Sequence, residues 1–185
     1  MTKFFASLFL LSIVACARSG AKEEANSTKQ QPIKDWKTLD QAICSIQYPG
    51  TWDKDESGQM GTSFFILSPV ESTEDKFREN VNLLIQDLTG KNIDLNKYTD
   101  ISENQIKTLA VNSNLVESKR IKNAGEEYQK VIYSADQGGA HLKFEQYFFI
   151  VKEKAYVLTF SSELNKFDQY KEVAEKILNS FQLKK

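Results

Sequence analysis

From about residue 36 onward, apolar and polar side chains alternate with a period of two in several stretches, each bounded by short polar punctuation. A strand sends successive side chains to opposite faces, so this alternation predicts strands at about 42–48, 62–68, 79–88, 113–120, 127–134, 141–151 and 154–161. Gly58 and Gly61 mark one turn, and Gln137-Gly138-Gly139 marks a hairpin. Lys152-Glu153 marks another, too short for anything but antiparallel pairing. Two segments have helical spacing instead. Over about 164–181, Phe167, Tyr170, Val173, Ala174, Ile177, Leu178 and Phe181 fall on one stripe at three- and four-residue steps. Over about 94–111, Asp94 is a suitable N-cap and Leu95, Tyr98, Ile106 and Leu109 form a looser stripe.

The stretch 141–151 sets the layering. Leu142, Phe144, Phe148 and Ile150 share one face, while Tyr147, Phe149 and Val151 make the other apolar as well. A sheet that is apolar on both faces must be covered on both. The prediction is an α+β domain, an α/β/α sandwich with a central antiparallel sheet flanked by helices.

The head of the chain follows neither period. Residues 4–15 are apolar except for Ser7 and Ser12, follow Lys3, and end at Cys16. About a dozen apolar residues are too few for a membrane span, which needs about 20, and suit the core of an export signal. Ile13-Val14-Ala15-Cys16 resembles the lipobox of bacterial lipoproteins. The resemblance implies diacylglycerol on the Cys16 thiol, cleavage before it and acylation of the new N-terminus. Several acyl chains, at about 0.8 kcal/mol per buried methylene, hold a protein stably to a bilayer without help from its folded part. Ala17 stands where an Asp would favour inner-membrane retention, so the same resemblance favours the periplasmic face of the outer membrane over the inner membrane or the cell surface.

Residues after Cys16 have almost nothing to bury, and such a segment is expected to be disordered. About 19 flexible residues reach roughly 25 Å, which makes them a spacer. The expected organisation is a signal peptide over 1–15, a lipidated cysteine and polar tether over 16–35, and one domain over 36–185.

Composition narrows the function. The chain has 185 residues, 41% hydrophobic, with a formal net charge of -1, which becomes -1 - 1 = -2 if Lys3 leaves with the leader. A near-neutral chain offers little to a polyanion, so nucleic-acid binding is not expected. The cluster Lys119-Arg120-x-Lys122 reads as a solvated strand edge. Lipidation of Cys16 would leave Cys44 without a disulfide partner in the chain. It lies in a strand pattern with Ala42, Ile46 and Tyr48, as a buried thiol.

Catalytic signatures are scarce. His141 is the one histidine, so any triad, Cys-His pair or catalytic zinc site would have to use it, and no metal-ligand spacing surrounds it. Glu126 and Glu127 are adjacent, which on a strand points them to opposite faces and unsuits them as an acid/base pair. No phosphate-loop glycine pattern occurs. Asp53-Lys54-Asp55-Glu56-Ser57-Gly58 copies the first half of an EF-hand loop, which makes Asp53, Asp55 and Ser57 candidate calcium ligands. The position that should supply a bidentate glutamate is Phe64, so a polar turn competes with the calcium reading. No other cofactor is expected.

Four segments together resemble the PsbP-like domain: Tyr48-Pro49-Gly50-Thr51-Trp52, Phe77-x-x-Asn80-Val81-Asn82-Leu83, Ala155-Tyr156-Val157-Leu158-Thr159-Phe160, and the final helix from Phe167 to Ser180-Phe181. The resemblance implies an α/β/α sandwich and a binding or assembly role; photosynthetic members sit on photosystem II and help it retain calcium and chloride. The expectation is a non-enzymatic lipoprotein whose domain binds, or helps assemble, another cell-envelope component. The alternative is a carrier or sensor of a small apolar ligand, with Phe64, Phe148 and Phe149 lining a pocket between sheet and helix.

Overall fold

A computed structural model describes residues 35–123 and 126–184. The leader, Cys16 and the tether lie outside the described residues.

The strands are β1 (Trp36–Asp40), β2 (Cys44–Pro49), β3 (Asp53–Asp55), β4 (Thr62–Leu67), β5 (Asn80–Asp87), β6 (Val111–Asn123), β7 (Glu126–Gln137), β8 (Ala140–Val151), β9 (Lys154–Glu163) and β10 (Gln182–Leu183). The helices are α1 (Leu95–Leu109) and α2 (Phe167–Asn179). Seven strands form one sheet in the order β3-β4-β5-β9-β8-β7-β6, and β1-β2-β10 form a small second sheet. All neighbouring strands pair antiparallel.

The large sheet is covered on both faces, as the doubly apolar β8 predicts. Tyr147 and Phe149 join Phe64, Leu83, Leu158 and Phe160 in a core closed by the α2 stripe and the small sheet. Phe144 and Phe148 project the other way, into a second core with Val131, Tyr133, Tyr98 and Ile106. This is the α+β sandwich expected. Every residue of the predicted α2 stripe is buried, and Ile177 is completely so.

The α1 face differs. Asp94 caps the helix by accepting from the Lys97 amide at 2.8 Å. Leu109, however, is 57% exposed, and the buried positions are Tyr98, Thr99, Ser102 and Ile106. The loose stripe thus reflects a helix that turns hydroxyls as well as hydrocarbon toward the sheet. Thr99 and Ser102 donate to backbone carbonyls one turn back, so neither hydroxyl is stranded.

Three strands have no apolar alternation to announce them. β3 is Asp-Lys-Asp, an edge strand with no buried residue. β1 buries only Leu39 and is specified by its register on β2, with Leu39 opposite Ile46. β10 adds two residues beyond α2 to the other side of β2. Ala42 is a correction: it lies in the exposed turn before β2, and only Cys44, Ile46 and Tyr48 share the buried face. Gln137 and Ala140 flank the Gly138-Gly139 turn, where both glycines have positive φ. At the second hairpin Lys152 and Glu153 take positive φ without being glycine. The Glu153 carbonyl accepts from Leu88 N at 2.8 Å and its carboxylate from Gly90 N at 3.1 Å, ties that hold the turn against its strain.

Candidate ligand cleft

Between the α1-side face of the large sheet and the helix lies a cleft of about 400 Å³. Strand alternation decides what floors it. On β5 the inward set is Asn80, Asn82, Leu84 and Gln86; on β9 it is Val157, Thr159 and Ser161; on β8 it is Leu142, Phe144, Gln146 and Phe148. Register aligns these into rows across the sheet. Asn82, Thr159 and Gln146 are successive partners in one row, and Asn80, Ser161, Phe144 and Tyr133 in the next. A polar stripe therefore crosses the centre of the sheet, flanked by aromatic rings.

Parts of the stripe satisfy one another. Gln146 donates to Thr159 Oγ1 at 3.1 Å, Asn82 donates to Asn80 Oδ1 at 3.1 Å, and Asn80 donates to the Arg78 carbonyl at 3.0 Å. On the α1 wall, the Tyr98 hydroxyl donates to Gln86. Tyr133 stacks on Phe144 with ring centroids 4.8 Å apart, and Tyr98 meets Phe148 edge-on at 5.3 Å.

A long connection from β4 to β5 forms another wall and brings in Phe77 and Arg78. Arg78 anchors it at one end: Nε donates to the Ser68 carbonyl at 2.6 Å and Nη2 to Asp53 Oδ2 at 2.6 Å. At the other end Glu71 accepts from the Tyr170 hydroxyl and pairs with Lys166 at 3.0 Å. Those partners, Tyr170 foremost, hold the Glu71 carboxyl below the usual range. Glu79, where β5 begins, is fully buried between the Ser68 and Ser162 hydroxyls, each 3.5 Å away. Burial pushes its carboxyl up.

Of the three aromatics expected in a pocket, only Phe148 lines this cleft. Phe149 follows it on the strand and so faces the α2 core. Phe64 sits beyond a β-bulge between Thr62 and Phe64, which puts it on that same core face. The cleft uses Phe65, Phe77, Phe144 and Tyr133 instead, over a floor more polar than a purely apolar pocket would have.

The other singled-out residues lie elsewhere. Asp53 is engaged by Arg78, and Asp55 accepts from the Ser57 amide at 2.7 Å and from Gln59 Nε2 at 2.6 Å. Among the described residues no three His, Cys, Asp or Glu side chains are grouped to hold a metal ion. His141 is an exposed hairpin residue bonded to Asp136. Arg120 bonds Gln129, Glu127 and Asn96 along the β6 edge, and Lys122 pairs with Glu127 at 3.4 Å. Cys44 is 1% exposed, and burial pushes its thiol up to about 11. No described helix is long and apolar enough to cross a membrane.

Sequence reasoning missed the cleft floor because only the pairing of β5, β9 and β8 brings Asn80, Asn82 and Gln146 together, and no local pattern contains that pairing. One signal was available: β5, β8 and β9 are central strands, where inward polar residues are unexpected. Glu145 was missed too. It is wholly buried on the α2 side, 2.8 Å from Lys130, and accepts from the Tyr147 hydroxyl at 3.1 Å.

The two-faced sheet thus carries a sealed core under one helix and an open, mixed-polarity cleft under the other. The chain belongs to the PsbP-like protein family, whose model matches residues 10–183. Among solved structures, a cyanobacterial PsbP (CyanoP) from Synechocystis sp. PCC 6803 is similar at 14% identity and a TM-score of 0.59, over 85% of this chain and 99% of that one. LpqN of Mycobacterium tuberculosis, described as involved in cell envelope biogenesis, is similar at 12% identity and a TM-score of 0.63, over 82% of this chain and 91% of its own. PA94 of Pseudomonas aeruginosa, a protein of unknown function, is similar at 9% identity and a TM-score of 0.56, over 80% and 96%. At these identities the likeness is one of fold. No curated protein matches the sequence.

Proposed function

We propose that this chain is a non-enzymatic lipoprotein of the cell envelope, held to the membrane by lipid on Cys16 and spaced from it by the polar tether, whose domain binds an envelope component in the cleft. The single observation that carries the reading is the cleft itself. An opening of about 400 Å³ lies within the size range of small-ligand sites. Most of its lining comes from regular strands and α1, so the site is largely preformed.

The chemistry present supports binding without turnover. No Asp or Glu is among the residues lining the cleft, and the one histidine, an exposed residue of the β7–β8 hairpin paired with Asp136, is not among them either. General acid/base catalysis needs such groups within hydrogen-bond reach of a bound molecule. The envelope setting rests on the lipobox-like leader, and the described role of LpqN agrees with it.

A photo-crosslinking residue at Met60, on the cleft rim, tests the proposal in intact cells. It is expected to trap an adduct of defined mass, and Asn82→Trp, which fills the floor, is expected to abolish it. The same adduct from a crosslinker at Val151, or its survival with Asn82→Trp, would remove the cleft from the function. For the anchor, mass spectrometry of the mature N-terminus is expected to find acylated Cys16; an unmodified cysteine or cleavage elsewhere would overturn that part.

A further inference from the structure

The cleft holds polar groups that the protein leaves without partners. The Tyr133 hydroxyl makes no hydrogen bond among the described residues, although the residue is only 4% exposed. The same is true of the Ser161 hydroxyl, at 7% exposure. The two residues lie in one row of the sheet, on either side of Phe144. Neither oxygen is sealed off from solvent: among the described residues the one buried side-chain oxygen or nitrogen without a partner is Glu145 Oε2, so both hydroxyls open into the cleft with their bonding capacity free. Two in one row, both lining the cleft, mark where a ligand's polar atoms belong.

The available chemistry selects the ligand class. Hydroxyls and carboxamides each offer a donor and an acceptor, and the floor has both kinds and no acid. An alkyl chain would strand every one of these groups. A strongly anionic ligand would need cations aimed at the floor, but of the two in the lining Arg78 is taken up by Asp53 and backbone carbonyls, and Lys76 is an exposed residue of the β4–β5 connection. A peptide reads best along an open strand edge, whereas the strands of this floor are hydrogen-bonded to neighbours on both sides. A neutral ring bearing several hydroxyls meets all the conditions: its hydroxyls match the ambivalent stripe, and its C–H face packs against Phe144 and Tyr133.

We infer that the cleft is a saccharide site, in which Tyr133 and Ser161 bond ring hydroxyls and Asn82 and Gln146 orient them. The inference rests on the cleft being the binding site. The sugar can arrive as a free glycan or on a lipid headgroup, since the chemistry at the floor is the same.

The test uses the full lipidated chain in phosphatidylcholine nanodiscs, titrated calorimetrically with cellobiose, maltose, lactose and N,N′-diacetylchitobiose. Nanodiscs containing galactosyl diacylglycerol report the lipid-borne source, and a trialanine peptide and laurate serve as comparators. At least one sugar, free or lipid-borne, is expected to bind. Tyr133→Phe and Ser161→Ala are each expected to weaken it by about tenfold, the effect of one lost hydrogen bond, while exposed Ile43→Ala changes nothing. Sugar binding that ignores both variants overturns the inference. If only the peptide or laurate binds, and Asn82→Trp abolishes it, the saccharide class fails while the cleft stands. If no probe binds, both readings fall.

Discussion

Lys130 on β7 and Glu145 on β8 meet at 2.8 Å on the α2 side of the sheet, with the carboxylate completely buried and Lys130 also 3.4 Å from Glu175 of α2. Removing one charge from such a pair leaves the other uncompensated, which costs about 3–5 kcal/mol, whereas replacing both by apolar side chains is close to neutral. Lys130→Met is therefore expected to destabilise the domain by about that amount in urea unfolding. The double variant Lys130→Met/Glu145→Leu is expected to recover most of the loss. A single variant as stable as the parent would show that the pair contributes no such coupling.

Glu71 and Glu79 bracket the β4–β5 connection and titrate in opposite senses. The folded Glu71 carboxyl lies below its ordinary value of 4.5, so its stabilisation is present above that value and lost as pH falls through the folded one. Glu79 is raised by burial, so protonation favours the fold and that advantage is lost as pH rises through its folded value. At neutral pH, Glu71→Gln is expected to lower the melting temperature and Glu79→Gln to raise it. The Glu79→Gln difference should fade as pH falls from the raised folded value toward 4.5, and the Glu71→Gln difference only as pH falls below about 4.5. Melting curves from acid to neutral pH that stay parallel for all three proteins would rule this out.

Cys44 has a thiol pushed up to about 11 and an exposure of 1%. With Cys16 acylated or replaced by Ser, Cys44 is expected to react with a disulfide reagent at mildly alkaline pH only as fast as the domain opens. Added urea should accelerate the reaction in step with unfolding. Immediate reaction of native protein would contradict the buried-thiol assignment.

Lys152 holds φ 49 in a two-residue hairpin. Asn adopts this region with less strain than Lys. Lys152→Asn is expected to stabilise the domain by up to about 1 kcal/mol, read as a higher urea midpoint at unchanged slope. Glu153→Gly should gain less, because it also deletes the carboxylate that accepts from Gly90.

The central architecture was legible because β8 carries two apolar faces and α2 an unbroken stripe, patterns that depend only on neighbours in the chain. β1 and β3 were not, because their residues are mostly polar and their strand character comes from partners, Leu39 on Ile46 and Asp53 opposite Leu67. The cleft was half legible. Phe148 fell into it by strand parity, but the bulge before Phe64 shifted that residue to the other face, and a bulge leaves no mark in the alternation. Tyr133 and Ser161 become neighbours of Phe144 only through pairing of β7, β8 and β9, which no local pattern contains.

The polar stripe and the sealed hydrocarbon core are carried by alternate residues of the same strands. Exchanging one inward side chain for another therefore rewrites what the cleft can recognise without disturbing the layer that folds the protein. A scaffold of this kind can diverge in specificity by single substitutions while its shape stays constant, and a combinatorial library confined to Asn80, Asn82, Gln146, Thr159 and Ser161 would explore new ligands on a conserved chassis.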